Sequence, residues 1–368
     1  MLVLPEERPG SIPGCAASET PVAASPVTEV NPLQVAGWDD LVSDFASATP
    51  FHTTGWLKVL RSTYGHTPRY LCQFSGQRLQ ACLPVAEVHS PLTGRRGVSL
   101  PFTDDCPALM AGNEAGPALW DAVLRLGRAR RWKYVECRST SIAPSGTAPS
   151  LEFYRHILDL RLGEQRLLAQ LDSSVRRALR KSQSSGLKVE LSGEPSAVAD
   201  YYRLHCLTRQ RHGLPPQPWR FFENIGRHLV ATGQGMVVIA RHEGRAVASA
   251  LFLHFGEQAI YKYGASDLAA QPLRPNNLVM WEAIRYYTAR ECRTFDFGRT
   301  SLANEGLRRF KHGFGAREEK LAYFRYDLLQ ERFVAGQDRA DTVFNAFFRR
   351  LPLPALQLAG RLLYPHLS

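Results

Sequence analysis

The chain has 368 residues, 45 of them Lys or Arg against 34 Asp or Glu, for a formal charge of +11. That length exceeds the usual ceiling for a single hydrophobic core, so two domains are expected. A composition 44% hydrophobic and 21% charged excludes a fibrous or wholly disordered chain. No apolar window reaches the eighteen or so residues of a spanning helix, and the basic excess favours polyanionic partners. The seven cysteines lack CxxC spacing and nearby paired histidines. This argues against a disulfide framework or a zinc site and for a reducing compartment. The start, MLVLPEERPG, has neither a basic leader nor a long apolar run, so a cytoplasmic protein is expected.

Residues 1–30 are rich in Pro, Ala, Ser and Glu without periodicity, and a disordered tail is expected there. YLCQFSGQRLQACLPVAEV (70–88) reads as a strand, a tight turn at Gly76 and a second strand. WDAVLRLGRARRWKYVECRST (120–140) then reads as a helix followed by a strand, and IAPSGTAPS (142–150) as a linker. VRRALRKS (175–182) carries a basic helical stripe in which Arg176, Arg180 and Lys181 are candidates for RNA or phosphate contact.

A second hairpin is expected in VVIARHEGRAVASALFLHF (238–256), turning at Gly244. In YKYGASDLAAQPLRPNNLVMWEAIRYY (261–287), a strand through Ile260–Tyr263 is expected to end at Gly264. A polar loop over 265–275 follows, and then a helix capped by Asn276 or Asn277 with Leu278, Trp281 and Ile284 on its apolar face. A helix start just beyond a strand end presents free N–H groups and a positive dipole end, suited to phosphate or a developing oxyanion. Tyr263 and Asn277 are therefore candidate substrate contacts.

The chain also resembles itself. WDAVLRLGRARRWKYVECRST lies without gaps over WEAIRYYTARECRTFDFGRTS (281–301): Trp120 on Trp281, Val135 on Asp296, Arg138 on Arg299. The two hairpins match in the same order, Gly76 on Gly244. Two ordered matches point to an internal duplication. The expected architecture is an α/β (α+β) fold of two copies with mixed sheets, spanning 31–160 and 161–330. A C-terminal amphipathic segment follows at 331–368, where Phe344, Phe347, Phe348 and several leucines alternate with Arg349, Arg350 and Arg361. Such a segment suits a membrane interface or docking on the second copy.

VRRALRKSQSSGLKVE (175–190), RQRHGLPPQPWRFFENI (209–225) and the run from Tyr261 to Arg317 resemble the FemAB-like branch of the GNAT acyltransferase superfamily, in particular its PEP-CTERM/exosortase-associated subset. The resemblance implies tandem GNAT-like domains and N-acyl transfer, from aminoacyl-tRNA or acetyl-CoA, to an amine of a sugar- or peptide-containing envelope or exopolysaccharide precursor. It implies no metal. FHTTGWLKVL (51–60) resembles the family's early Trp-x-Lys element, so Trp56 and Lys58 are implied substrate contacts. His212 falls in the implied substrate loop, and Lys311 in the family's basic segment, as a phosphate contact.

Acyl transfer to an amine requires removal of its ammonium proton and support for the oxyanion. In the stretch Phe295–Gly298, Asp296 should point away from the face under the helix, as a candidate base, with Arg299 holding anionic substrate or the oxyanion. Gln271–Asn276 stands where classical acetyl-CoA users carry a glycine-rich pyrophosphate loop. A non-catalytic GNAT-fold scaffold of a polysaccharide assembly system is the rival reading.

Overall fold

A computed structural model describes residues 25–112, 114–139, 141–336 and 344–367. The first copy opens with strand β1 (Thr28–Val30) and helices α1 (Trp38–Ser43) and α2 (Thr54–Tyr64). Strands β2 (Thr67–Pro68), β3 (Tyr70–Ser75), β4 (Arg78–Leu83), β5 (Ala86–Ser90), β6 (Gly94–Val98) and β7 (Leu109–Met110) follow. Helix α3 (Ala115–Ala129), β8 (Tyr134–Cys137) and β9 (Leu151–Asp159) complete the copy.

The second copy opens with α4 (Gly163–Gln170), α5 (Ser173–Ser184), β10 (Lys188–Ser192), α6 (Ala197–His212) and α7 (Trp219–Ile225). The hairpin β11 (Gly235–His242) and β12 (Arg245–Phe255) leads to β13 (Gln258–Ser266), α8 (Pro275–Ala289) and β14 (Thr294–Ser301). Helix α9 (Glu305–His312), β15 (Arg317–Asp327), β16 (Arg332–Phe333), α10 (Phe344–Arg350) and α11 (Leu353–Leu363) end the described chain.

Among the described residues, one mixed sheet runs β10-β11-β12-β13-β14-β9-β15-β8-β6-β5-β2, with β16 against β15. Its centre is two-fold in layout. On one side β13 and β14 are parallel and joined by α8; on the other β6 and β8 are parallel and joined by α3. An antiparallel strand pair lies outside each parallel pair, β11 with β12 on one side and β2 with β5 on the other. The last strand of each copy is exchanged: β9 pairs with β14, and β15 pairs with β8, while β9 and β15 pair with each other. A cut at residue 160 therefore separates the two segments in sequence but leaves each sheet completed by the other copy.

The hairpin of the second copy turns at Glu243–Gly244, both at positive φ, the conformation that matches strand twist in a two-residue turn. In the first copy the hairpin strands are broken at Arg69 and Pro84, and their outer halves join β1 and β7 in a separate four-stranded sheet. Proline cannot donate to a ladder, so Pro84 marks the switch between sheets. Helix α8 buries Leu278, Trp281 and Ile284, the expected face, against Phe252 and Phe295.

Three local expectations need correction. Of the expected tail, residues 1–24 lie outside the described residues, but Thr28–Val30 pair with Tyr70–Cys72, which gives the segment backbone partners. Strand β13 does not stop at Gly264; it runs through it to Ser266. Glycine stands there because a Cβ would sit 1.7 Å from the Tyr261 hydroxyl that crosses it. Helix α8 starts at Pro275 behind Arg274, which is left-handed at φ 60°, so Asn276 and Asn277 fall inside the first turn. Proline suits that first position because its missing N–H would have no helical partner.

The C-terminal helices dock on the second copy. Leu356 is fully buried, Gln210 Nε2 donates to Leu351 O (2.9 Å) and Arg209 Nη2 to the Tyr364 hydroxyl (2.9 Å). Phe347, Leu358 and Leu362 remain exposed. No helix among the described residues is long and apolar enough to cross a membrane. Six described cysteines are buried and unbridged.

Candidate active site

The cleft between the copies begins with loop 99–106. Leu100 and Phe102 are both held at positive φ, a conformation that costs a non-glycine residue energy and persists only where its surroundings impose it. Arg138 imposes it. Its guanidinium donates to the carbonyls of Thr103 (3.0 Å) and Leu100 (3.4 Å), while Glu136 Oε1 accepts from its Nε (3.0 Å). The Tyr323 hydroxyl donates to Asp104 O. The loop thereby sends two neighbouring acids in different directions: Asp104 into the cleft and Asp105 back onto Arg155 (2.8 Å).

Two β-bulges aim cations at Asp104. Cross-strand pairing jumps from Leu251↔Tyr263 to Phe252↔Tyr261, leaving Lys262 as the extra residue. The bulge lets both Lys262 and Tyr263 face the cleft. In β14, pairing jumps from Asp296↔Ile157 to Arg299↔Arg155, with Gly298 at φ 69°. Strict alternation would put Arg299 on the same face as Phe297, under α8; the bulge turns it to the cleft. Lys262 Nζ donates to Asp104 Oδ2 (3.1 Å), and Arg299 Nε lies 3.8 Å from Asp104 Oδ1. Arg299 also stacks over the Phe153 ring (4.5 Å).

Burial raises the carboxyl of Asp104, but the Lys262 and Arg299 charges outweigh it and hold its pKa below the ordinary value. Burial likewise lowers Lys262 against the pull of Asp104. The result is a cavity of about 430 Å³ lined by both copies, with Arg209, Gln217 and Tyr364 on its rim.

A second cavity of about 490 Å³ lies where α8 begins. Arg177, Lys181, Arg274 and Arg309 line it together with Asn277, and no acidic residue does. Pro275 removes one backbone donor at this helix start, so its positive character comes largely from side chains. Between the two cavities, β13 and β14 pair only over Gln258–Ile260 and Thr294–Asp296, although the strands have nine and eight residues. Beyond that point they are not paired with each other.

The structure thus gathers Arg299 and Tyr263 in the cleft, and Lys181 and Asn277 in the basic cavity. The other sequence candidates go elsewhere. Asp296 is buried with both carboxylate oxygens engaged: Oδ2 accepts from Arg155 Nε (2.7 Å) and Oδ1 from the Gly298 N–H (2.7 Å). It closes the β14 bulge and is not a free base. Lys311, expected at a phosphate, is buried and donates to Gly298 O (2.7 Å) and Arg299 O (3.2 Å), clamping the same bulge. Burial lowers its pKa to about 8, against the pull of Asp104 and Asp296.

Trp56 is fully buried in the core, edge-on to Phe51 and Phe221, because it lies on the inner face of α2; Lys58, two residues on, is exposed on the outer face. His212 ends α6 and does not line the cleft, whereas Arg209 and Gln217 of the same stretch do. Arg176 and Arg180 are exposed beside the basic cavity without lining it.

Sequence reasoning missed Asp104, Lys262 and Tyr323 in the cleft, and Arg177, Arg274 and Arg309 at the helix start. Two signals existed: a lysine between tyrosines in an otherwise apolar strand (YKY), and the acid pair of PFTDDCP. Neither spacing specifies a chemistry.

Residues 169–320 match the acetyltransferase (GNAT) domain family. Among solved structures, the chain is similar to FemX, with 15% identity and a TM-score of 0.66 over 83% of this chain and 98% of that one. It is similar to the L-PGS of Bacillus licheniformis, with 12% identity and a TM-score of 0.53 over 89% and 95% of the two chains. A tandem GNAT protein from the clavulanic acid biosynthesis pathway shows 14% identity and a TM-score of 0.50 over 82% and 98%. No curated protein matches the chain by sequence. The fold is the mixed α/β architecture of tandem GNAT-like copies: the self-comparison led us to expect the duplication, and the family resemblance the GNAT-like copies.

Proposed function

We propose that the chain is an N-acyltransferase that moves an acyl group from a phosphate-bearing donor to an amine held in the cleft between its copies. The observation that carries this reading is the β13/β14 pair, unpaired beyond Ile260 and Asp296, between an acid-free basic cavity and a cleft where one carboxylate faces two cations. A donor's phosphates suit Arg177, Lys181, Arg274 and Arg309, since paired charges and directed N–H groups strengthen phosphate contacts. Its acyl carbon would then reach the cleft between the strands.

Asp104 orients the acceptor, which enters as the neutral amine, and takes up the one proton its nitrogen sheds as it attacks. The new C–N bond forms, negative charge develops on the acyl oxygen, and Lys262 and Arg299 are the cations placed to stabilise it. Collapse of the tetrahedral intermediate breaks the bond to the donor's sulfur or oxygen, and the proton leaves with that group.

The GNAT match supports acetyl-CoA as donor; the sequence resemblance adds aminoacyl-tRNA, and the side-chain character of the basic cavity suits either. The same resemblance suggests a sugar- or peptide-containing precursor of the cell envelope or an exopolysaccharide as acceptor. Arg209, Arg299 and Arg325 around the cleft suit an anionic one. Exposed Phe347, Leu358 and Leu362 beside Arg349, Arg350 and Arg361 suit contact with an anionic membrane face carrying such a precursor.

The test is binding followed by transfer. Thermal denaturation with acetyl-CoA, CoA and aminoacyl-tRNA should show a rise with one donor class. Mass spectrometry with amino-sugar and peptide acceptors should then show the acyl mass added. No stabilisation by any donor, together with capture of a glycan-assembly protein, would support the scaffold reading instead.

A further inference from the structure

Behind the cleft, on the far side of the Lys311 clamp, lies a cluster that the proposed transfer reaction does not use. We propose that His156, His312 and Glu318 form a binding site for one transition-metal dication of the zinc class, seated where the exchanged strand β9 meets α9 and β15. His156 and Glu318 are direct cross-strand partners in the β9·β15 pairing, and His312 is the last residue of α9. One ligand atom from each lies within 4.8 Å of the other two.

The geometry fits a small tetrahedral ion. His156 Nε2 lies 3.1 Å and His312 Nε2 3.0 Å from the same atom, Glu318 Oε2. Bonds of about 2.0–2.1 Å at tetrahedral angles put neighbouring ligand atoms about 3.3 Å apart, close to both histidine–carboxylate separations, while the two imidazoles lie within 4.8 Å of each other. Two imidazoles and one carboxylate are a donor set that zinc, cobalt and nickel accept.

An orphaned polar group provides an independent indication. The His156 side chain is fully buried, yet neither ring nitrogen makes a hydrogen bond; Nε2 approaches Glu318 outside hydrogen-bonding geometry. A buried imidazole whose polar contact is a carboxylate outside hydrogen-bonding geometry is costly unless something else takes its lone pair. Arg308 grips Glu318 through two hydrogen bonds (2.6 and 2.7 Å), the kind of outer contact that orients a ligating carboxylate.

The groups facing the site are Arg308, Lys311, His156, His312 and Glu318. Two cations beside one acid will weaken a dication's hold, so a moderate affinity is expected. His312 is half-exposed, so solvent reaches the cluster from its side. Occupied, the site would cross-link a strand of the first copy to a helix and strand of the second.

The test is zinc titration of the intact, chelator-treated protein against a chromophoric chelator, with cobalt(II) absorption as a second probe. One equivalent should bind, and His312→Ala and Glu318→Gln should each weaken binding by about 10–100-fold or more. Zinc should raise the thermal midpoint of the parent protein and not of His312→Ala. His312 is the deciding position because it is half-exposed and can be truncated without opening the core, whereas a His156 variant can fail to fold. Equal zinc affinity in the parent and His312→Ala, a cobalt spectrum with thiolate bands, or no binding at all would overturn the proposal.

Discussion

Arg138, the residue after β8, and Arg299, in the last part of β14, hold matching places in the two copies, and they end in opposite surroundings. Arg138 is buried against Glu136 and donates to two carbonyls of loop 99–106. Arg299 is half-exposed in the cleft, stacked over Phe153 and near Asp104. The loop explains the difference: in the first copy it folds beside the β6/β8 pair, with Ser99 N–H donating to Glu136 O (2.8 Å) and Cys106 N–H to Arg138 O (3.2 Å). In the second copy Arg299 instead lines the cavity between the copies. One copy thus uses its arginine to build the wall that the other copy's arginine faces, which shows how a duplicated fold divides scaffold from site.

The largest effects should come from exchanging these fates. Arg138→Leu leaves Glu136 buried with Arg325 alone as its charged partner and should cost about 3–5 kcal/mol in urea unfolding. Arg299→Leu should leave the unfolding midpoint nearly unchanged and lower kcat/KM by about 10²-fold. Equal destabilisation by the two variants would erase the distinction between the copies.

The Lys311 clamp has no helical counterpart among the described residues between β8 and β9. Its pKa falls from 10.5 to about 8 in the fold. Below pH 8 the folded protein bears the full cost of a buried ammonium. Between about pH 8 and 10.5 the unfolded chain binds more protons, so this contribution to stability rises with pH. Relative to Lys311→Met, the parent should gain up to about 3 kcal/mol across that window, at 1.36 kcal/mol per pKa unit. Parallel pH–stability curves would show that Lys311 titrates normally.

Asp296→Asn tests positioning against base catalysis. Loosening the bulge should lower kcat by about 10-fold through Arg299 while leaving the shape of the pH–rate profile intact. A lost acidic limb would restore Asp296 as the base. Arg177→Glu with Lys181→Glu should raise the donor KM by about 30-fold, since each of the two charge-assisted phosphate bonds contributes on the order of 1 kcal/mol. Arg125→Glu on exposed α3 of the first copy should leave it unchanged. The smallest effect belongs to the C-terminal helices: Leu358→Ser with Leu362→Ser should reduce binding to anionic vesicles a few-fold, measured by co-sedimentation, while the midpoint stays constant because both side chains are exposed.

The sequence by itself determined the periodic parts. Glycines 76 and 244 marked both hairpin turns, the Trp120 and Trp281 helices announced the duplication, and the apolar face of α8 was legible because helix period and burial coincide. It also pointed to Arg299, by repeat matching, and to the basic character around Lys181. Tertiary structure decided the rest. Two bulges turned Lys262 and Arg299 to the cleft, which no strict alternation could show. Asp296 read as a base and Lys311 as a phosphate contact in sequence, but the fold buries both as bracing for one bulge. The exchange of β9 and β15, and the meeting of His156 with His312 and Glu318, join residues far apart in the chain. Such pairings are selected by the packing of whole sheets, because local periodicity specifies which face a residue takes and not which distant strand will lie opposite it.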